Sequence, residues 1–507
     1  MGTRGFFAYR YKRLYYRQYA PRDAHIGSYG RGQIFLGLIP HVSALQDWIE
    51  DTIEMLEDAE TCEQCDHDYD DVLFLKTHRY QTTYDNDWMF VVGYSISWTY
   101  VIDLDNLAFI VNGYDYWRLD RLPANLIDYY DYDGLKDDIP EHCLCTDIDL
   151  WPPHDFDEED CQKSYEALHP AIVPAAEWGA PTWDKLSMSQ RFSIEITHNL
   201  LHELSPSLTQ AYIPYIRARI GEYCWDILCA SIPALPIFQD NLLEDFDLSP
   251  RTLYSGTTRD GTRPGYPNMR SFRTNQPFKI GDTRSIEYFW VRGCLVTFCT
   301  RLSEPMFVAL EVTQMLRKLR RSKLPESVGI ILSSQQTLVV VALDGTKVRH
   351  SPVLDIRAAS DVPGGASDGR LLLTSLLNSP SHSLSLPWRT RPHQPLSRTS
   401  NPTAALPSEI LQMIIHCADI DMGTYLALCR ASRSIRSVCL ANPQVGDYTV
   451  LRKVPDFDSI FIARGLGDNT EKTIKIWWQR SESLYHSHGK WKFQEVSPEE
   501  LTELEEE

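Results

Sequence analysis

The sequence predicts an α+β multidomain protein: a mixed α/β N-terminal region, a flexible Ser/Pro-rich linker, a small three-helix module and a short C-terminal β-hairpin. Three observations lead to that class. The chain has 507 residues, too many for one ordinary core. Over residues 1–355 apolar residues recur with period two and with helical spacing by turns. The composition then breaks after Leu354, and a helical period returns only at Leu406.

The elements follow in order. "FFAYRYKRLYYRQYA" alternates about a Tyr-Lys-Arg turn and predicts a hairpin of Phe6–Tyr11 with Leu14–Tyr19. Leu45, Trp48, Ile49, Ile53 and Leu56 have the spacing of one helix face. "WMFVVGYSISWTYVIDLDNLAFIVNG" is rich in β-branched and aromatic residues, with Asp105-Asn106 as a turn between strands. Around 180–230 the chain reads as helix, with Phe192, Ile196, Leu200 and Leu204 in one stripe, and Pro233 and Pro236 close the region. "IEYFWVRGCLVTFCT" reads as one buried strand. Ser303 is placed to cap a helix whose face holds Val308, Val312, Met315, Leu316 and Leu319. "VGIILSS" and "TLVVVALDGTKVRH" follow as strands turning at Asp344-Gly345.

From Gly369 to Ser408 there is no acidic residue, and Thr374 to Pro402 hold seven Ser and five Pro. Such a stretch lacks the apolar surface to offset its ordering entropy. The organisation expected is therefore an N-terminal domain over 1–240, a strand-helix-strand-strand unit over 241–355 (separate or part of that domain), a disordered linker over 356–403, a helical module over 404–442 and a β-rich extension over 443–507. In that extension "KTIKIWWQ" and "KWKFQEV" form a hairpin, and Ser497, Pro498 and Glu500 open a last helix with a capping box.

A net charge of −20 argues against a general nucleic-acid binder, because phosphate would be repelled. The twelve cysteines are scattered and no apolar leader precedes them, so a cytoplasmic or nuclear setting is expected. The longest apolar run, Tyr288 to Cys299, is too short to cross a bilayer, so no membrane partner is expected. Met1-Gly2 invites a myristoylation reading, but Phe6 stands where Ser or Thr is needed.

Several constellations invite a chemical reading. Cys62 and Cys65, with His67, and Cys143 and Cys145, with His142, could surround zinc, although the irregular spacing favours cysteines without a shared role. Glu195, His198 and His202 share one side of a helix, where a solvated polar face is the simpler reading. "GSYGRGQIF" lacks the Gly and Lys of a phosphate loop. His25 with Asp23 and Ser28 makes a local trio, although sequence neighbours rarely form a triad, and a processed N-terminal nucleophile would need cleavage to Thr3, since Gly2 offers none. The reading expects no cofactor, no metal site and no catalytic residue.

The module at Leu406 has a distinctive pattern. Leu406-Pro407-x-Glu409-Ile410-Leu411-x-x-Ile414 precedes Leu426-x-Leu428-Cys429-Arg430-x-Ser432-Arg433 and Ile435-Arg436. Pro407 suits a first helical turn, and Asp421 and Ser432 can cap a second and a third helix. Over residues 404–440 this resembles the F-box motif. The resemblance implies docking to a Skp-type adaptor of a cullin–RING ubiquitin ligase. It assigns Leu406, Pro407, Ile410, Leu411, Ile414 and Leu426 to the docking surface, with Leu428, Cys429 and Ile435 closing it. Ala418, in place of a large aliphatic, and Ile435, where Trp is common, depart from the pattern. "MGTRGFFAYRYKRLYYRQY" with Asp23, Gly27 and Gly30, then "WTYVIDLDNLAFIVNG" and "SVGIILSSQQTLVVVALDGTKVRHSP", make most of residues 1–355 similar to a filamentous-fungal protein family, a resemblance that supplies no mechanism.

Two functions follow as expectations. The first is a non-enzymatic F-box adaptor that recruits a protein substrate of unknown identity. The second is an enzyme or ligand-binding protein acting through Thr3, Asp23, His25 and the Gly-rich loop, with a vestigial F-box.

Overall fold

The computed structural model describes residues 3–27, 30–61, 79–90, 96–123, 125–130, 135–136, 138–146, 148–154, 156–213, 216, 220–233, 288–291, 293–322, 324, 326–357, 366–378, 407, 410, 441, 443–455, 457–465, 470–479 and 490–506. The chain divides into two units. The first comprises residues 1–155 and 212–215, the second residues 156–211 and 216–507.

The first unit begins with the expected hairpin, β1 (Gly5–Tyr11) and β2 (Leu14–Ala20). Lys12 and Arg13 both take left-handed backbone angles, which matches the strands' twist. Two non-glycine residues hold that strained pair because the Asp105 carboxylate accepts both of their N–H groups at 2.7 Å. Further strands are β3 (Glu60–Thr61), β4 (Arg79–Thr83), β5 (Trp98–Asp103), β6 (Ala108–Val111) and β7 (Asp115–Arg118). They form a seven-stranded sheet ordered β3-β4-β2-β1-β5-β6-β7, with β1 parallel to β5. One face carries Phe7, Tyr9, Trp98, Tyr100, Ile102, Phe109, Val111 and Trp117. It packs against Phe35 of α1 (Arg31–Leu36) and Leu45, Ile49 and Leu56 of α2 (Leu45–Glu57). The period-two and helical stripes of the sequence thus meet in one aromatic-rich core.

In the second unit, α3 (Glu158–Glu166) and β8 (Ala171–Ile172) precede α4 (Met188–Thr209), which a Ser187–Gln190 capping box starts, and α5 (Ile220–Ala230). Next come β9 (Phe289–Val291), β10 (Cys294–Cys299), α6 (Pro305–Arg321), β11 (Glu326–Ser333), β12 (Thr337–Asp344), β13 (Lys347–His350) and β14 (Leu354–Asp355). β10 and β11 are parallel, as a strand-helix-strand crossover requires, and the sheet runs β8-β13-β12-β11-β10-β9 with β14 on β12. Val312, Met315, Leu316 and Leu319 of α6 bury against Ile331, Val339 and Val341. After α7 (Asp368–Asn378) the chain closes with β15 (Gln444–Val445), β16 (Tyr448–Lys453), β17 (Ile460–Gly465), β18 (Glu471–Gln479), β19 (Lys490–Glu495) and α8 (Pro498–Glu506). The Ser497–Glu500 capping box of α8 forms as expected.

The structure corrects the expected organisation in five places. The α4 stripe does not belong to an N-terminal domain ending at 240. Phe192 and Ile196 bury against Val450, Phe461, Ile474 and Ile476 of the C-terminal strands, which a local period cannot reveal. The C-terminal extension is a five-stranded antiparallel sheet, β15-β16-β17-β18-β19, rather than a hairpin alone. "IEYFWVRGCLVTFCT" is two antiparallel strands, because Gly293 takes a positive φ of 85° and turns the chain. The expected linker over 356–403 contains α7, whose Leu372, Leu373, Leu376 and Leu377 are buried. The N-cap of α6 is Glu304, with Pro305 at the first turn, while Ser303 binds Gln335.

Candidate functional site

The start of β1 brings Thr3 and His25 together. Thr3 precedes Gly5 by two residues and so lies on the same side of the strand as Gly5 and Phe7. Gly5 pairs with Trp98 of β5, and a Cβ there would press on the Trp98 carbonyl and on Ala24. The chain leaving β2 therefore passes close over the start of β1. Asp23 turns it with a φ of 56°, and the Ala24 N–H donates to the Thr3 carbonyl at 3.0 Å. Tyr100 reaches across from β5, its hydroxyl donating to the Ala24 carbonyl at 2.9 Å. Burial and the neighbouring Tyr130 push that phenol well above its ordinary pKa, so it stays a donor.

This turn sets His25 beside Thr3. The His25 N–H donates to Thr3 Oγ1 at 3.3 Å, and the same oxygen lies 3.4 Å from His25 Nδ1. The threonine hydroxyl can accept the one bond and donate the other. Neither side chain is fully buried. On the far side, the Gly32 N–H donates to the His25 carbonyl at 3.2 Å, and a Cβ at Gly30 or Gly32 would collide with that carbonyl. The Gly-rich stretch therefore serves a close backbone approach rather than a phosphate.

The sequence-predicted trio does not assemble. Asp23 supplies its carbonyl to the Arg31 N–H at 2.7 Å, while its exposed carboxylate makes no hydrogen bond to His25. Ser28 lies outside the described residues. Of the docking residues, only Pro407 and Ile410 fall inside them. The Ile410 N–H donates to the Pro407 carbonyl at 3.1 Å, as in a first helical turn, and Ile410 is 40% exposed. Leu406, Leu411, Ile414, Leu426, Leu428, Cys429 and Ile435 lie outside, as do the cap residues Asp421 and Ser432 and the thiol pair Cys62 and Cys65 with His67. Cys143 is buried in the first unit's core.

Of Glu195, His198 and His202, only His202 lies on the solvated face expected. Glu195 is buried and takes Lys453 Nζ at 2.8 Å, from a residue far along the chain. His198 is half-buried. Burial, and next the Arg370 guanidinium, hold its pKa below the ordinary imidazole value. Among the described residues no three His, Cys, Asp or Glu side chains form a metal-binding group.

One group escaped the sequence reading. Asp115 shares the apolar face of β7 with Trp117, a position where an acid is out of pattern. Its carboxylate accepts the Tyr130 hydroxyl at 3.2 Å, and Tyr130 in turn accepts the Trp117 indole N–H at 2.7 Å. Burial pushes the Asp115 carboxyl up to about 6. The available signal was parity: an Asp two residues before a core Trp in a strand.

A scan against protein-family models gives no match to the chain, and searches of curated proteins and of solved structures give none either. Among the described residues no helix is long and apolar enough to cross a membrane.

Proposed function

We propose that the protein is an F-box adaptor that recruits a protein substrate to a cullin–RING ubiquitin ligase through a Skp-type adaptor. The observation that carries this reading is the spaced pattern from Leu406 to Arg436, in which Leu406, Pro407, Ile410, Leu411, Ile414 and Leu426 form the docking face. Three short helices in about 35 residues cannot bury a sizeable core alone, so such a module needs a partner surface. The exposed side chain of Ile410, just after Pro407, is consistent with that role.

The position of the segment adds support. It is flanked by α7 and β15, and both flanks belong to structure that packs on α4. Under this reading the α+β region ahead of the F-box segment binds the substrate, and the chemistry of ubiquitin transfer belongs to the partner enzyme.

A docked face of this kind buries on the order of 1,500 Å² with its adaptor. Leu411→Glu would set an unpaired charge in the middle of that area. Affinity purification of the full chain with mass spectrometry tests the proposal. The wild type should recover a Skp-type adaptor and a cullin, and the variant should lose both. Equal recovery by the variant, or no adaptor with the wild type, would sink it.

A further inference from the structure

We propose that Thr3 and His25 form a nucleophile–base pair that accepts an acyl group from an ester or a strained amide. This goes beyond the adaptor reading and does not depend on it. Three observations lead there. Thr3 Oγ1 lies 3.4 Å from His25 Nδ1, within the looser range that such pairs show without substrate. Both residues are partly exposed, so the pair is not sealed inside the core. The turn is also shaped for this contact: Asp23 takes a left-handed φ of 56°, and the His25 carbonyl has no room for a side chain at Gly30 or Gly32. A non-glycine residue in that region is disfavoured and persists where the surroundings impose it.

The hydrogen bond from the His25 N–H to Thr3 Oγ1 fixes the threonine rotamer. With Nδ1 unprotonated, the Thr3 hydroxyl points its proton at the ring. Attack on a carbonyl carbon forms the Oγ1–C bond as the proton passes to Nδ1. Collapse of the tetrahedral species breaks the bond to the leaving oxygen or nitrogen, which takes the proton back from the imidazolium. One water then hydrolyses the Thr3 ester, His25 again taking and returning a proton. The cycle consumes one water and one ester or amide, and releases an acid with an alcohol or amine.

The alternative is a purely structural contact in which Thr3 only accepts the His25 N–H. A β-lactone probe separates the two, because ring opening leaves its whole mass on the nucleophile as an ester. The full-length protein should gain one probe mass, mapped by fragmentation to Thr3. Thr3→Ser should keep the label and Thr3→Val should lose it. His25→Gln should slow labelling about 100-fold or more, the usual effect of removing a general base. A structural contact predicts no label at Thr3 in the wild type, or equal labelling in His25→Gln at an unchanged melting temperature. Either result overturns the proposal. Should Thr3→Val fail to fold, the pair Thr3→Ser and His25→Gln still decides it.

Discussion

The two units hold their sheets together by different means. At one end of the first unit's sheet, the β1–β2 and β5–β6 turns are tied by a buried polar knot. Arg10 Nη1 donates to both oxygens of Asp103, at 3.0 and 3.2 Å, and both residues are almost fully buried. Asp103 also accepts the N–H groups of Asp105 and Asn106, and the Asn106 side chain bonds Asp103 and the Asp149 carbonyl. Arg13 binds Asp149 at 2.9 Å. In the second unit, β11, β12 and α6 meet through aliphatic side chains, with Ile331, Val339, Val341, Leu316 and Leu319 at essentially zero exposure. The knot joins the two turns through directional bonds, so removing one partner alone leaves the others buried without it. The aliphatic sheet relies on buried area, which tolerates conservative change.

The sharpest way to break this contrast is Asp103→Ala. It removes the nearer carboxylate from the buried Arg10 guanidinium, leaving only Asp105 at 3.4 Å, and frees two turns at once, so a loss of about 3–5 kcal/mol is expected in the unfolding transition of the first unit. Leu316→Ala in α6 should cost about 2–5 kcal/mol in the transition of the second unit, while Leu316→Met should cost less than about 1.5. No comparably mild replacement should exist at Asp103, and Asp103→Asn should remain clearly destabilising. Denaturant unfolding followed separately for each unit reads these values.

pH sharpens the comparison further. The folded Asp115 carboxyl titrates at about 6, raised from an ordinary 3.8 by burial. The unfolded chain therefore ionises first as pH rises, and the first unit loses stability between about pH 4 and 6. Asp115→Asn should abolish that slope and raise stability above pH 6. His350 in the second unit has the opposite sign. Its Nδ1–H donates to the Ser351 carbonyl at 2.7 Å, which leaves Nε2 to accept the Tyr165 hydroxyl at 2.6 Å. Burial lowers the folded pKa, so the unfolded chain binds a proton first as pH falls below about 6.5, and the second unit weakens there. The smallest effect expected is Tyr165→Phe, which removes one hydrogen bond and should cost about 1 kcal/mol at neutral pH. Melting curves of both units across pH 4 to 8 would show the two slopes.

What was legible in the sequence was local. The β1–β2 hairpin, α2, the β5–β6 turn, the α6 face and the α8 capping box each follow from spacing within one element. What was missed depends on partners distant in the chain. Glu195 reads as a solvated acid until Lys453, 258 residues away, pairs with it. The α4 stripe finds its sheet among residues 445–476. α7 was hidden because its leucines sit in a stretch whose composition resembles a linker. At the candidate site, Thr3 and His25 were visible as residue types. The turn that joins them depends on backbone approaches at Gly5, Gly30 and Gly32 that no period encodes, and Asp115 was masked by its place in an apolar strand.

The adaptor reading is tested most directly by mixing the purified full chain with a purified Skp-type adaptor and measuring the complex by size-exclusion chromatography with light scattering. The account predicts a 1:1 complex for the wild type and for the Thr3→Ser and Asp115→Asn variants, and none for Leu411→Glu. Separate elution of the wild type and the adaptor at micromolar concentrations, or an intact complex with Leu411→Glu, would contradict it.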